Sequence, residues 1–323
     1  MAIQSGQSVD LTFNKEGSDT YATAATGNFS RIPYNSCSLS LAKSTQESNQ
    51  LTGDRNVRDV FQGAHSVSGD ISFNLSHQPV FIEMFKAILG DFTDTDFGDA
   101  SSNGAGTLEV GNTRSSYTIH EAFTDLGDGN DNHVYTGCEF NSFSMTIPSD
   151  GLVECTVGVV GATMSSNASR QDGTVTDFTD TNDPYHSSDC AVSIDAGSSQ
   201  LSTITELSLS IDNGISTTNR VGSDIPIQGG IGKCRVTGSM TAHFESTTLY
   251  EKFLGADETF DLHIRLGAAG QATSFLFDMP KVKITAGTVE VGGEGLVSVA
   301  LEFTAIRNDS NNQTALTIDT DLS

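Results

Sequence analysis

The sequence predicts a mainly β protein made of two tandem β-sandwich or barrel modules, each with one short flanking helix. Three observations carry this. Apolar and polar residues alternate over many short runs, as in strands with one buried and one wet face. Turn-forming residues punctuate those runs, with 32 Gly among abundant Ser, Thr and Asp. A set of strand motifs also occurs twice in the same order. With 323 residues, 36% of them hydrophobic, the chain can fill two cores and is too apolar for wholesale disorder.

In the first copy Ser38-Leu39-Ser40-Leu41 alternates as a strand. After a long polar loop comes Val67-Ser68-Gly69, continued by Ile71, Phe73 and Leu75 on one face and Asp70, Ser72 and Asn74 on the other. Pro79 to Leu89 reads as a helix, with proline in its first turn and Gly90 at its end. Asp91 to Gly106 is an acidic loop insertion, and Phe143-Ser144-Met145-Thr146 and Gly151 to Val157 flank a turn as a closing hairpin. The second copy repeats this with Ser208-Leu209-Ser210-Ile211, Val236-Thr237-Gly238, and a helix ending at Leu254 with Thr248 and Glu251 placed as a capping box. Its closing hairpin is Val282-Lys283-Ile284-Thr285 with Gly295 to Leu301. The expected division is a first module over 1–168 with the insertion at 91–106, an acidic linker over 169–199 in which Cys190 to Ile194 reads as a strand, a second module over 200–308, and a frayed polar tail over 309–323.

Sixteen Lys and Arg against 41 Asp and Glu give a formal charge of −25, which repels phosphates and disfavours nucleic-acid gripping and anionic membranes. The opening residues have no basic start or apolar run, so no secretory signal is expected, and no stretch reaches the length of a membrane span. The five cysteines have no metal-ligand spacing. In a hairpin closed at Pro148-Ser149-Asp150-Gly151, Cys155 faces Ser144 and Cys138 faces Gly161, about 20 Å apart along the strands, which excludes a bridge between them.

No catalytic constellation emerges. His120-Glu121 lacks the second His of a zinc helix, and no nucleophile elbow occurs. Gly229-Gly230-Ile231-Gly232-Lys233 misses the phosphate-loop pattern at Ile227 and Cys234, and reads as a turn before a strand. The turn from Asp125 to Asp131 is read as solvated, with a weak calcium site as its alternative. No cofactor and no metal are expected. One loop stands apart: Glu47, Asp54, Arg55, Arg58 and Asp59 mix charges in a chain poor in cations, and Asp212, Arg220 and Asp224 do so in the second copy. Arginine among acids suits either an exposed loop with local ion pairs or a protein contact.

Taken together, these residues resemble a known family. The run Ser38-Leu39-Ser40-Leu41 … Glu47-Ser48 … Asp54-Arg55 … Asp59 … Gly63 … Val67 to Ser76 resembles the tail tube (major tail) proteins of long-tailed bacteriophages. So do Phe123-Thr124-Asp125, Tyr135 to Cys138, Asn141 to Met145, and Leu207 to Gly222. Asn74 to Pro79 departs from the acidic-aromatic stretch expected ahead of the helix. The resemblance covers about 15 to 307, and implies a virion protein, assembled in the host bacterial cytoplasm, whose hairpins join those of neighbours into an inter-subunit β-barrel. Stacked rings would form a hollow acidic tube, with DNA as non-sticking cargo and other tail proteins (terminator, tape measure, baseplate) at its ends. With two modules per chain, a trimer makes a pseudo-hexameric ring. The resemblance places Lys43 to Gly63 and Asp212 to Gly230 at inter-ring contacts. Two other readings are a ring-forming terminator or baseplate-proximal protein, and a β-sandwich module binding carbohydrate or a host surface.

Overall fold

The computed structural model describes residues 4–17, 21–50, 53, 56–57, 59–94, 106–126, 131–167, 173–178, 182–194, 199–244, 258–268, 273–291, 296–311 and 313–320. The second predicted helix and residues 127–130 of the candidate calcium turn lie outside them.

The first half comprises β1 (Val9–Lys15), β2 (Asn28–Arg31), β3 (Ser36–Cys37), β4 (Ser40–Glu47), β5 (Val60–Asn74), α1 (Pro79–Leu89), β6 (Gly90–Asp94), β7 (Gly106–Val110), β8 (Tyr117–Phe123), β9 (Asn132–Ile147), β10 (Glu154–Gly161), β11 (Thr163–Asn167) and β12 (Thr174–Thr176). The second comprises β13 (Cys190–Ile194), β14 (Ser199–Gln200), β15 (Ile204–Asp212), β16 (Thr217–Thr218), β17 (Ile227–Gln228), β18 (Arg235–His243), β19 (Phe260–Leu266), β20 (Phe275–Glu290), β21 (Ser298–Ala305) and β22 (Thr317–Asp319). The chain is mainly β, as predicted, and its sheet is open rather than closed into a barrel.

The backbone is arranged twice in the same way. β4 pairs β5, β5 pairs β10 and β10 pairs β9; likewise β15 pairs β18, β18 pairs β21 and β21 pairs β20. Leu41 faces Val67 as Ile211 faces Val236, and Ile71 faces Val157 as Met240 faces Leu301. β9 and β20, each 16 residues long, run from an outer layer into this inner sheet. Their first parts carry β8 and β11, or β19 and β22, on opposite edges.

One glycine in each half shows why the motif recurs. A Cβ on Gly69 would strike the carbonyl of Ser38, and one on Gly238 would strike that of Ser208. Strand backbones approach more closely there than any side chain permits.

A β-bulge adds one residue to the long strand of each half, at Asn141 against Gly158/Val159 and at Thr285 against Glu302/Phe303. The observed registers correct two expectations. Cys155 faces Met145, not Ser144, although the Cys138 sulfur still abuts Gly161. The counterpart of Phe143 across the bulge is Gly287, not Val282, because Val157 faces Phe143 as Leu301 faces Gly287. All five thiols are free, and burial pushes the Cys37 and Cys234 thiols up to about 11.

The expected linker contains β12, which pairs in parallel with β2, and β13, which pairs β19. The expected frayed tail is ordered at β22, which sits between β20 and β7. Leu316 and Ile318 alternate into the core there, a short pattern within polar sequence. The acidic insertion opens and closes as the β6–β7 hairpin, with 95–105 outside the described residues.

α1 forms where Pro79 takes the first turn and Gly90, at φ 88°, ends it in the left-handed conformation. Its apolar side buries Phe81, stacked 4.3 Å from Phe73, and Phe85, whose ring meets Phe143 of the first half and Phe275 and Phe277 of the second. The two halves therefore share one core. A buried polar knot closes the outer layer. The Glu16 carboxylate accepts from the Gly137 and Ala22 amides (2.8 and 3.1 Å) and from the Ser116 and Thr118 hydroxyls (2.7 and 3.1 Å). Burial raises its pKa despite these donors.

Two stability outcomes follow. Gly238→Ala forces β18 away from β15 and lowers stability by about 2 kcal/mol, the scale of overpacking, read from the urea midpoint at unchanged m. Glu16→Ala strands several buried donors and costs more than about 3 kcal/mol in the same titration.

Candidate assembly surfaces

β9 of the first half pairs antiparallel with β15 of the second, with Phe143 opposite Ile211, Ser144 opposite Ser210 and Met145 opposite Leu209. The inner sheet therefore runs β4-β5-β10-β9-β15-β18-β21-β20, all antiparallel. Among the described residues, its outermost edges, β3 with β4 at one end and β20 beyond Val282 at the other, have no further strand beside them. Unpaired strand edges invite another strand.

One face of this sheet packs on the core through Ile71, Phe73, Val157, Phe143, Met145, Leu209, Ile211, Met240 and Phe303. The other face is wet and made chiefly of small hydroxyls. A transverse row crosses all the strands as Ser36, Ser72, Thr156, Ser144, Ser210, Thr237, Thr304 and Lys283. The next row is Asn74, Glu154, Thr146, Ser208, Ser239, Glu302 and Ala286. Hydroxyls bond across strands, Ser36 to Ser72 at 3.1 Å and Ser208 to Ser239 at 2.8 Å. Further along stand Asp70, Glu206, Asp212 and Glu290, with Arg235 on the same side.

Alternating strand directions put the loops after β4 and after β15 at one rim, and the β9–β10 and β20–β21 turns at the other. Large apolar side chains are exposed at both. Val57, Val60, Phe61, Val221, Ile227 and Ile231 line the loop rim, and Leu152, Val291 and Leu296 the turn rim. Elsewhere the wet surface is mostly hydroxyl and carboxylate, so these side chains stand out.

The two loops are held differently. The second folds back on the first half. Asn213 donates its side-chain amide to the Ile88 carbonyl (2.7 Å), satisfying an orphan acceptor at the end of α1, and the Ile215 amide donates to the Asn141 side chain at the bulge. Arg114 donates to the Gly229 carbonyl (2.6 Å) and pairs with Glu139 (2.7 Å), whose other oxygen accepts from Gln228 (2.7 Å). Glu139 is buried, with 3% of its side chain exposed. Below lies a cleft of about 810 Å³ floored by Ile88, Ile215 and Ile231, in which Arg114 and Glu139 are already committed to each other. The first loop, by contrast, continues as a hairpin of β4 on β5, with a bulge between Lys43 and Thr45 and with Glu47 and Asp59 exposed.

The predicted contact residues separate accordingly. Asp54, Arg55 and Arg58 lie outside the described residues. Asp212 ends β15 opposite Ser142 and Arg235. Arg220 is exposed beside a shallow hollow with Tyr21 and Gln228. Asp224 reaches the first half: its carbonyl accepts from the His65 amide (2.7 Å) and its carboxylate lies 3.4 Å from His65 Nε2. The Arg114–Glu139–Gln228 cluster escaped sequence reading, although a lone acid inside the apolar strand segment Val134 to Phe143 was a signal for it. Among the described residues no His, Cys, Asp and Glu group is arranged to hold a metal, and no helix is long and apolar enough to cross a membrane.

Removing Arg114 strands a buried carboxylate, so Arg114→Met costs about 3 kcal/mol or more, while Arg114→Met with Glu139→Met restores much of it. Denaturant titration of both variants, with amide exchange at Ile215 and Gly232 rising only in the single variant, checks this.

No curated protein matches the chain. The family model described as phage tail tube protein matches residues 6–305, spanning both halves, the β9–β15 seam and the hydroxyl face. The chain belongs to the phage tail tube protein family.

Proposed function

We propose that the chain is the repeating subunit of a tail tube, in which each half acts as one module and chains join edge to edge into rings that stack around a channel for the phage genome. The observation that carries this is the β9–β15 seam: two equivalent halves already meet strand to strand, leaving one open edge at each end. A head-to-tail contact that repeats with rotation closes into a ring.

Geometry favours three chains. Each contributes eight inner strands, and strands about 4.8 Å apart tilted by roughly 40° give about 48 Å between backbones for three chains. Small side chains then leave a bore of roughly 38 Å, wider than a DNA duplex. Two chains would leave roughly 20 Å, with no clearance for a hydrated duplex, and six would leave roughly 85 Å. The wet face becomes the channel wall. Its rows are mostly hydroxyl, and the carboxylates of Asp70, Glu154, Glu206, Asp212, Glu290 and Glu302 outnumber Lys283 and Arg235 there and repel phosphates.

Stacking would use the two rims. The apolar turn rim of one ring fits the apolar loop rim of the next, and the mixed charges of Glu47, Asp54, Arg55, Arg58, Arg220 and Asp224 belong to the same contact. Terminator, tape-measure and baseplate proteins would meet the tube ends, and assembly would take place in the bacterial cytoplasm.

Negative-stain microscopy of concentrated protein tests this reading, with hollow tubes of regular axial repeat expected. Rings that never stack would favour a terminator, and monomers alone would overturn both. Phe61→Ser with Leu296→Ser is expected to yield single rings with unchanged circular dichroism; tubes of normal length from that variant would remove the rims from the stacking contact.

A further inference from the structure

The matching registers of the two halves fix a one-to-one correspondence that extends to the open edges. Leu39 and Leu41 correspond to Leu209 and Ile211, since Leu41 faces Val67 as Ile211 faces Val236. Through the matched bulges, Phe143, Ser144 and Met145 correspond to Gly287, Thr288 and Val289. Alternation agrees on both sides. Leu39 is buried and Ser40 exposed, while Val289 is half-buried and Thr288 exposed.

The same correspondence changes the charges in a concerted way. Glu139 faces Val160 as Lys283 faces Thr304, so Lys283 stands in the place of Glu139. Beyond the strands both loops close as hairpins, Thr217 opposite Gln228 and Glu47 opposite Val60, so the place of Gln228 falls at the Asp59–Val60 step. Where the seam inside the chain joins Gln228 to Glu139, an equivalent seam between chains would therefore bring Asp59 to Lys283.

Resting on the ring reading above, we propose that the β4 edge of one chain pairs with β20 of a second copy in this register. Leu41 lies opposite Gly287, Ser40 opposite Thr288 and Leu39 opposite Val289, and Asp59 is matched with Lys283 of the partner subunit. The wrong seam is closed already, because β9 pairs with β15 of its own chain and another chain's β4 edge finds β20 open, where Lys283 rewards an acidic partner. The β4–β5 hairpin, bulged between Lys43 and Thr45 and with Val60 and Phe61 exposed, would fold down onto the partner as the second loop does within the chain.

Two experiments on the full chain test this. In Ser40→Cys with Thr288→Cys, directly opposed residues fall within disulfide reach, whereas Ser40→Cys with Glu290→Cys is displaced by about 7 Å along the strand. After mild oxidation of assembled protein, denaturing non-reducing gels are expected to show a covalent trimer as the limiting species for the first pair and about tenfold less product for the second. In parallel, Asp59→Lys or Lys283→Glu alone is expected to lower ring yield about tenfold, and the two combined to restore it. Circular dichroism confirms folding in every variant. Tubes that form but cross-link better at Glu290, or that gain nothing from the combined reversal, overturn the register or the charge match and leave the ring reading standing. A wild-type chain that forms no rings overturns the ring reading itself.

Discussion

Every strand carries a row of amides and carbonyls that must find partners, and the molecule is organised by where those rows are satisfied. Inside the chain, β9 and β15 satisfy each other across the middle of the inner sheet. The outer layers use β2, β12 and β14, and β22 bridges to β7. Among the described residues the inner sheet itself is left open at its two ends, and other one-sided strands, β6, β11, β12 and β14, are short. Because the core beneath is continuous, from Phe73 and Phe81 through Phe85 to Phe275, the ends are held rigidly with respect to each other. The proposed seam between chains would therefore inherit a defined angle rather than a flexible one.

The charge of −25 is not spread evenly. The middle of the wet face is hydroxyl rather than carboxylate, with acids mainly toward its margins. Two carboxylates are taken out of water altogether, each with a specific set of donors. Glu16 is held by four neutral groups, Glu139 by a guanidinium and an amide. Such groups are costly to bury and costlier to strand, which ties the outer layer to β9 in one case and the second loop to the first half in the other.

Strand identity was readable from the residues because alternation is a local property: Ile71, Phe73 and Leu75 announce a buried face without any neighbour. The recurrence of Val-Ser-Gly and Val-Thr-Gly was readable too, and Gly69 and Gly238 give it a steric cause. Register was not, because a single bulged residue at Asn141 or Thr285 slips one strand past the other while leaving both patterns intact. The seam escaped for a different reason. β9 and β15 lie about sixty residues apart, and nothing in either announces the other. β22 was hidden by brevity, with only Leu316 and Ile318 pointing inward. Of the mixed-charge loops, the sequence marked them as unusual, but not that the second is pinned to the first half by Arg114 and Asn213.

In the proposed ring of three chains, the internal seam would bear on how quickly a closed circle can start. Six separate modules would have to collide productively several times, each step against translational and rotational entropy, and the birth rate of rings would climb with a high power of concentration. Tethering the modules in pairs makes every second joint intramolecular, at the local concentration a short connection supplies. Nucleation then depends on about half as many encounters, so a dilute pool of newly made chains can still begin a tube, and partial arcs are fewer.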